Sequence, residues 1–158
     1  MYDELIFVSF SEESGAGETW IAIEEIHEGR LFRLVDILLI IRDKTGSVTL
    51  QPQWKEFSAS GDQDHRIPLF MAESLFGASA QLGIQQLSEA GLDKTFLQDV
   101  AQALKSGTSA LLVYVPGDSL IDARTYLGYL SKLQGKPHHT TFPSAVKETI
   151  LQQGWHTK

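Results

Sequence analysis

The residues best suited to metal chemistry stand in the short stretch DQDH, which carries two carboxylates and an imidazole. Asp62, Asp64 and His65 offer the oxygen and nitrogen atoms that divalent cations bind in proteins. A metal site also requires a ligand number and a geometry that spacing alone does not set. A solvated polar loop accounts for the same residues, so we expect no metal and name these three as the candidates if one is present.

Two further imidazoles, His138 and His139, are adjacent in a segment that we expect to be a short strand. Neighbouring side chains of a strand point to opposite faces of its sheet. At most one of the two histidines can therefore join any single site.

The segment FVSFSEESGAGETW suggests a phosphate-binding turn. A strand-like apolar run is followed there by two glycines and then by apolar residues at helical spacing. A dinucleotide-binding turn has a third glycine where this chain has Trp20. Glu12, Glu13 and Glu18 also place negative charge around the turn, which disfavours phosphate and suits the positive end of a helix dipole. We therefore expect an ordinary helix start and no nucleotide cofactor.

The sequence contains no recognisable set of residues for covalent catalysis. No cysteine occurs among the 158 residues, and no G-x-S-x-G nucleophile elbow is present. The serines of SGTSAL precede an apolar strand instead of joining a strand to a helix. We predict that the protein is not an enzyme and has no catalytic residue and no cofactor.

Size and charge limit the classes of partner. With 158 residues and 42% hydrophobic content, the chain is long enough for one buried core, which predicts a single α+β domain over residues 1–158. The formal net charge of −7, without a cluster of Lys or Arg, argues against nucleic acid as a partner. The first residues, MYDELIFVSF, contain acids where a secretory signal has basic residues, so we predict a cytoplasmic location.

Hydrophobic patterning predicts the elements that position these residues. The predicted strands are 5–10, 36–43, 48–53, 109–116 and 138–142. The predicted helices are 16–26, 67–91 in one or two pieces, 93–107, 118–133 and 144–153. The runs ILLII and ALLVYV are typical of strands buried on both faces, whereas the third and fifth strands are polar enough for sheet edges.

The order of these elements predicts a ferredoxin-like fold: β-α-β-β, a helical insertion over 67–106, then β-α-β-α. With the apolar strands inside and the polar strands at the edges, we expect a five-stranded mixed sheet in the spatial order 5-1-4-2-3. Right-handed crossovers place helices 16–26 and 118–133 on one face. The other face would expose more apolar surface than a soluble monomer carries, so we expect the helical insertion to cover it.

The segments DELIFVSF, VDILLIIRDKTGSV and GLDKTFLQDVAQALKSGTSALLVYV together resemble the domain of unknown function 1269 family. The similarity covers most of the chain outside about residues 52–90. It implies the order of strand, helix and hairpin at the start of the chain. It implies no activity, catalytic residue or cofactor.

The middle of the chain departs from that family. Many members carry a long apolar hairpin there and are labelled predicted membrane proteins. This chain has an uncharged segment shorter than the roughly 20 residues that span a bilayer, interrupted by Glu73, Gln81, Gln85, Gln86 and Glu89. Peripheral membrane attachment is therefore an alternative that we do not favour.

Small and apolar residues of the insertion predict a contact surface for a second copy or for another protein. The predicted contact residues are Phe70, Leu75, Gly77 and Gly83. The leading hypothesis is a soluble, non-enzymatic module that acts by self-association or by binding a partner protein. The other alternative is a module that binds a small molecule or a metal.

Overall fold

The computed structural model of the chain describes residues 2–27, 36–52, 66–77, 80–117 and 135–156. The strands in these residues are β1 (Tyr2–Phe10), β2 (Asp36–Arg42), β3 (Val48–Pro52), β4 (Thr108–Val115) and β5 (Lys136–Pro143). The helices are α1 (Gly15–His27), α2 (Arg66–Phe76), α3 (Ala80–Ala90), α4 (Lys94–Ala103) and α5 (Val146–His156). The α+β class predicted from the sequence is confirmed. The predicted helix over 118–133 lies outside the described residues.

The strands form one open sheet in the order β3-β2-β4-β1-β5, which reads 5-1-4-2-3 from its other edge. Every neighbouring pair of strands is antiparallel, so the expectation of a mixed sheet is wrong. β1 and β2 run in the same direction, but β4 lies between them and runs the other way. Likewise β1 separates the parallel strands β4 and β5. Interleaving therefore leaves no parallel neighbours in the sheet.

Alternating side chains of the strands build a hydrophobic core on each side of the sheet. On one side, which we call the insertion face, Leu5, Phe7, Leu38, Leu112 and Tyr114 pack with buried residues of the four helices α2 to α5. On the other side, which we call the α1 face, the core contains Ile6, Val8, Ile37, Leu111, Val113 and, from α1, Ala16 and Trp20. The insertion thus covers the face for which the sequence predicted such a cover.

The described residues between β3 and β4 contain the three helices α2, α3 and α4. The predicted helical stretch 67–91 is two helices, because α2 ends at Phe76, directly before Gly77, and α3 begins at Ala80. α3 lies close to α2 at Gly83, where a Cβ atom would overlap the backbone oxygen of Ser74. The small residue therefore serves a helix contact within the chain.

Asp93 caps α4, as the sequence predicts. Its carboxylate accepts a hydrogen bond of 3.1 Å from the backbone N–H of Phe96, one of the amides that has no partner inside the helix. Phe96 and Val100 are buried and form the predicted apolar stripe together with Leu104. This stripe packs into the core of the insertion face.

The hairpin between β2 and β3 is held by Asp43. Its carboxylate oxygen accepts hydrogen bonds from Thr45 N (2.9 Å), Thr45 Oγ1 (2.6 Å) and Ser47 N (3.0 Å). The Thr45 hydroxyl, followed by the Ser47 amide, lowers the pKa of Asp43 below its ordinary value. Gly46 has φ of 90°, as predicted for a short loop that requires positive φ.

Candidate functional site

A buried carboxylate on the insertion face joins three parts of the chain. Asp3, in β1, accepts hydrogen bonds from Tyr114 Oη of β4 (2.5 Å), from Gly117 N (2.8 Å) and from Ser144 Oγ (2.7 Å). Asp3 is 2% exposed and Tyr114 is fully buried. We call Asp3, Tyr114, Gly117 and Ser144 the Asp3 cluster. Both carboxylate oxygens have donors, so the cluster is a complete structural link between β1, the end of β4 and the turn before α5.

A row of aromatic and cationic side chains lies elsewhere on the same face. The Phe7 ring is 6.0 Å from the Phe76 ring and 6.3 Å from the His138 ring, measured between centroids. At the other end, the Arg42 guanidinium carbon is 5.9 Å from the centroid of Phe76. We call these four residues the Arg42–His138 row. It brings together β1, β2, β5 and the last residue of α2.

The two ends of this row differ from the rest of the described structure. Among the described residues, the buried side-chain nitrogens and oxygens without a hydrogen-bond partner are Arg42 Nε and His138 Nε2. Arg42 also has no ion pair with a described carboxylate. The adjacent Asp43 carboxylate is occupied by Thr45 and Ser47 instead. Since buried polar groups in folded proteins nearly always have partners, these two nitrogens require an explanation.

His138 and His139 lie on opposite faces of the sheet, as predicted. His138 pairs with Phe7 across β1 and β5 and so lies on the insertion face. His139 pairs with Ile6, and its Nε2 contacts a carboxylate oxygen of Glu4. The two histidines therefore take part in separate contacts.

The N-terminus of α1, where the sequence suggested a phosphate-binding turn, has the amides of Gly15, Ala16 and Glu18 engaged within the chain. Ala16 N donates to Ser109 Oγ at 2.9 Å, while the same hydroxyl donates to the backbone oxygen of Glu12 at 2.6 Å. Gly15 N donates to Glu12 O at 3.2 Å, and Glu18 N to Ser14 O at 3.0 Å. The buried Ser109 thus fixes the start of α1 against β4.

The four predicted contact residues occupy different environments. Leu75 is 1% exposed and Gly83 is buried, so both lie inside the chain's own packing. Phe70 is half-buried against the insertion core, and Gly77 is exposed. Because Leu75 and Gly83 are buried, only Phe70 and Gly77 of these four residues can contact a partner without a rearrangement of the helices.

The outer side of α3 carries an exposed residue that the sequence analysis did not single out. Leu82 is 54% exposed, and its exposed neighbours on the helix are Gln81, Gln85 and Glu89. Gln85 Nε2 donates to Glu89 Oε1 at 3.2 Å. The sequence does show that Leu82 is an apolar residue outside the buried stripe of α3. That stripe consists of Gly83, Ile84, Leu87 and Ala90.

The candidate metal residues Asp62, Asp64 and His65 lie outside the described residues. Within the described ranges, no group of three or more His, Cys, Asp or Glu side chains is placed to hold a metal ion. Within the same ranges, no helix combines the length and the apolar character needed to cross a membrane.

Comparisons of the chain with protein families, with curated proteins and with solved structures found no match. The resemblance to the domain of unknown function 1269 family therefore stays a prediction from the quoted motifs.

Proposed function

We propose that the protein is a soluble, cytoplasmic, non-enzymatic binding module with a ferredoxin-like arrangement, and that it acts by associating with a second copy of itself. The outer surface of α2 and α3 forms the contact. The single observation that carries this proposal is the exposed Leu82 on a helix surface that carries little charge.

Because both faces of the sheet are covered, a partner protein must contact other surfaces, such as those of the helices. Central residues of both sheet faces are fully buried, including Phe7 and Leu112 on the insertion face and Ile6 and Val113 on the α1 face. A partner protein therefore does not contact these strand faces and must contact helix surfaces, loops or sheet edges. α2 and α3 pack their buried residues into the insertion core and leave residues such as Glu73, Gln81 and Leu82 exposed, which offers such a surface.

Charge favours this surface for self-association. The chain has a formal net charge of −7, so two copies repel each other wherever acidic residues meet. On α3 the side chains around Leu82 include the neutral Gln81 and Gln85, and Glu89 is one turn further on. The cores of protein interfaces are depleted in charged residues, which matches this composition. Exposed amides also supply both donors and acceptors to a symmetric partner.

The test compares two exposed aliphatic residues on opposite sides of the sheet. We expect light scattering in detergent-free buffer to show a dimer or larger oligomer for the wild type. Leu82→Glu should weaken association at least about tenfold, because it places a charge in the desolvated contact. Ile21→Glu is the matched control, since Ile21 is 57% exposed on α1 and lies on the other side of the sheet.

The result that contradicts the proposal is equally direct. A monomeric wild type, or a Leu82→Glu variant with the mass of the wild type, rules out self-association through α3. Equal weakening by Ile21→Glu would indicate a general charge effect instead of a contact at α3. Unfolding midpoints of both variants, measured by circular dichroism, show that the comparison concerns folded protein.

A further inference from the structure

We propose that the Arg42–His138 row is a binding site for an amphipathic organic carboxylate, a ligand with one carboxylate group and an apolar body. This inference concerns the interior of the insertion face and is independent of the proposed contact on α3. It rests on the two buried nitrogens without partners and on the rings that lie between them.

The chemistry of Arg42 selects the charged group of the ligand. A guanidinium only donates hydrogen bonds and stays charged, so the complement of its buried Nε–H is an acceptor. Nε and one terminal nitrogen form a planar edge that matches the two oxygens of a carboxylate. The carboxylate nearest in sequence, that of Asp43, is already held by Thr45 and Ser47. The acceptor must therefore come from elsewhere.

The rings of the row select the apolar body. The Phe76 ring centroid lies 5.9 Å from the Arg42 guanidinium carbon and 6.0 Å from the Phe7 ring, so the buried side chains next to the cation are aromatic. Flat apolar groups pack well beside such rings. A phosphate dianion needs more donors than one guanidinium edge beside two phenyl rings provides, which disfavours an inorganic anion or a nucleotide here.

His138 marks the far end of the ligand. Its ring lies 6.3 Å from Phe7, and Nε2 is buried without a partner. Depending on its tautomer, this nitrogen donates or accepts one hydrogen bond. A hydroxyl group on the distal end of the apolar body is able to serve either tautomer. We therefore assign His138 to recognition of that distal polar group.

Calorimetric titration with defined probes tests the charged end. 4-Phenylbutyrate should bind the wild-type protein saturably with one molecule per chain, and the neutral 4-phenylbutyramide at least tenfold more weakly. Arg42→Gln should weaken the binding of 4-phenylbutyrate at least tenfold. Lys44→Gln is the control, because Lys44 is an exposed cation two residues further along the chain, and it should change the dissociation constant less than twofold.

The distal end has its own test. 4-(4-Hydroxyphenyl)butyrate should bind the wild type at least threefold more tightly than 4-phenylbutyrate, and His138→Leu should abolish that difference. An equal affinity of the two probes for the wild type overturns the role of His138.

Three results overturn the carboxylate site itself. They are no saturable binding of 4-phenylbutyrate, equal binding of the amide, and unchanged binding by an Arg42→Gln variant that retains a wild-type unfolding midpoint. The first of these would assign the two nitrogens to trapped water. None of them affects the mass comparison of Leu82→Glu, so the failure of one proposal is separable from the failure of the other.

Discussion

The Asp3 cluster and the Arg42–His138 row are two polar regions on the same face of one sheet, and they differ in whether their polar atoms have partners. Both Asp3 oxygens accept hydrogen bonds, three in all, from parts of the chain far apart in sequence. Arg42 Nε and His138 Nε2 are buried and have none. A buried group with its partners in the chain stabilises the fold, whereas one without them is available to a ligand or to water at the expense of stability.

The largest expected effect is at the Asp3 cluster. Asp3→Ala removes the acceptor of the Tyr114 hydroxyl, of the Gly117 amide and of the Ser144 hydroxyl. Loss of the hydrogen bond from the fully buried Tyr114 hydroxyl and of two from partly buried donors should lower the free energy of unfolding by about 2–4 kcal/mol, measured by urea denaturation. Asp3→Asn, which keeps one acceptor oxygen, should recover part of this loss.

Asp99→Ala is the matched control for this substitution, because Asp99 is exposed on α4. Its effect on the free energy of unfolding should stay within about 0.5 kcal/mol. If Asp3→Ala changes the free energy of unfolding as little as Asp99→Ala does, the Asp3 cluster does not stabilise the fold. The proposed difference between the Asp3 cluster and the Arg42–His138 row would then be wrong.

A smaller effect is expected at the row in the absence of ligand. Arg42→Met keeps a long side chain beside Phe76 and removes the buried N–H that has no partner. The loss of the cation–π contact and the gain from removing this donor are of similar size, so stability should stay within about 1 kcal/mol of the wild type. A loss above about 2 kcal/mol would show that Nε has a structural partner and would remove the basis for a ligand site.

The parts of this architecture that the sequence predicted are those set by local rules. The cap at Asp93, the stripe containing Phe96 and Val100, and the doubly buried run in β4 each follow from residues within a few positions. The alternation of His138 and His139 across the sheet follows from strand geometry alone. Local patterns were sufficient for these features.

The polar regions were not predicted because their members are far apart in the chain. Tyr114 is 111 positions from Asp3, and Ser144 is 141 positions from it. Arg42 meets Phe76 only because α2 folds back over the sheet. The predicted strand order matches the observed one, but the antiparallel pairing was missed, since it depends on the direction of β4 and β5 relative to the distant strands β1 and β2. Conversely, Leu75 and Gly83 are residue types that are common in contact surfaces, but in this structure they pack against other residues of the same chain.

Asp43 separates the effect of burial from the effect of hydrogen bonding, because its carboxylate has partners but is exposed. The pKa of Asp43 lies below the ordinary value of 3.8, chiefly because the Thr45 hydroxyl donates to it. A carboxyl whose pKa is lower in the folded chain stabilises the fold above its ordinary pKa, and this contribution disappears as the pH falls through the folded value. Solvent screening keeps the contribution small.

We therefore expect the smallest effect from Asp43→Asn, with a defined dependence on pH. The difference in unfolding free energy between wild type and Asp43→Asn should be constant near neutral pH and should shrink as the pH falls below the ordinary Asp value of 3.8. Urea denaturation at a series of pH values measures it. Thr45→Ala removes the main donor to the carboxylate, so in that background the same comparison should show a weaker pH dependence. Asp43→Asn could instead destabilise the protein as much as Asp3→Ala. Hydrogen bonding alone would then set how much a carboxylate contributes to the free energy of unfolding, and burial would not explain the difference between the two regions.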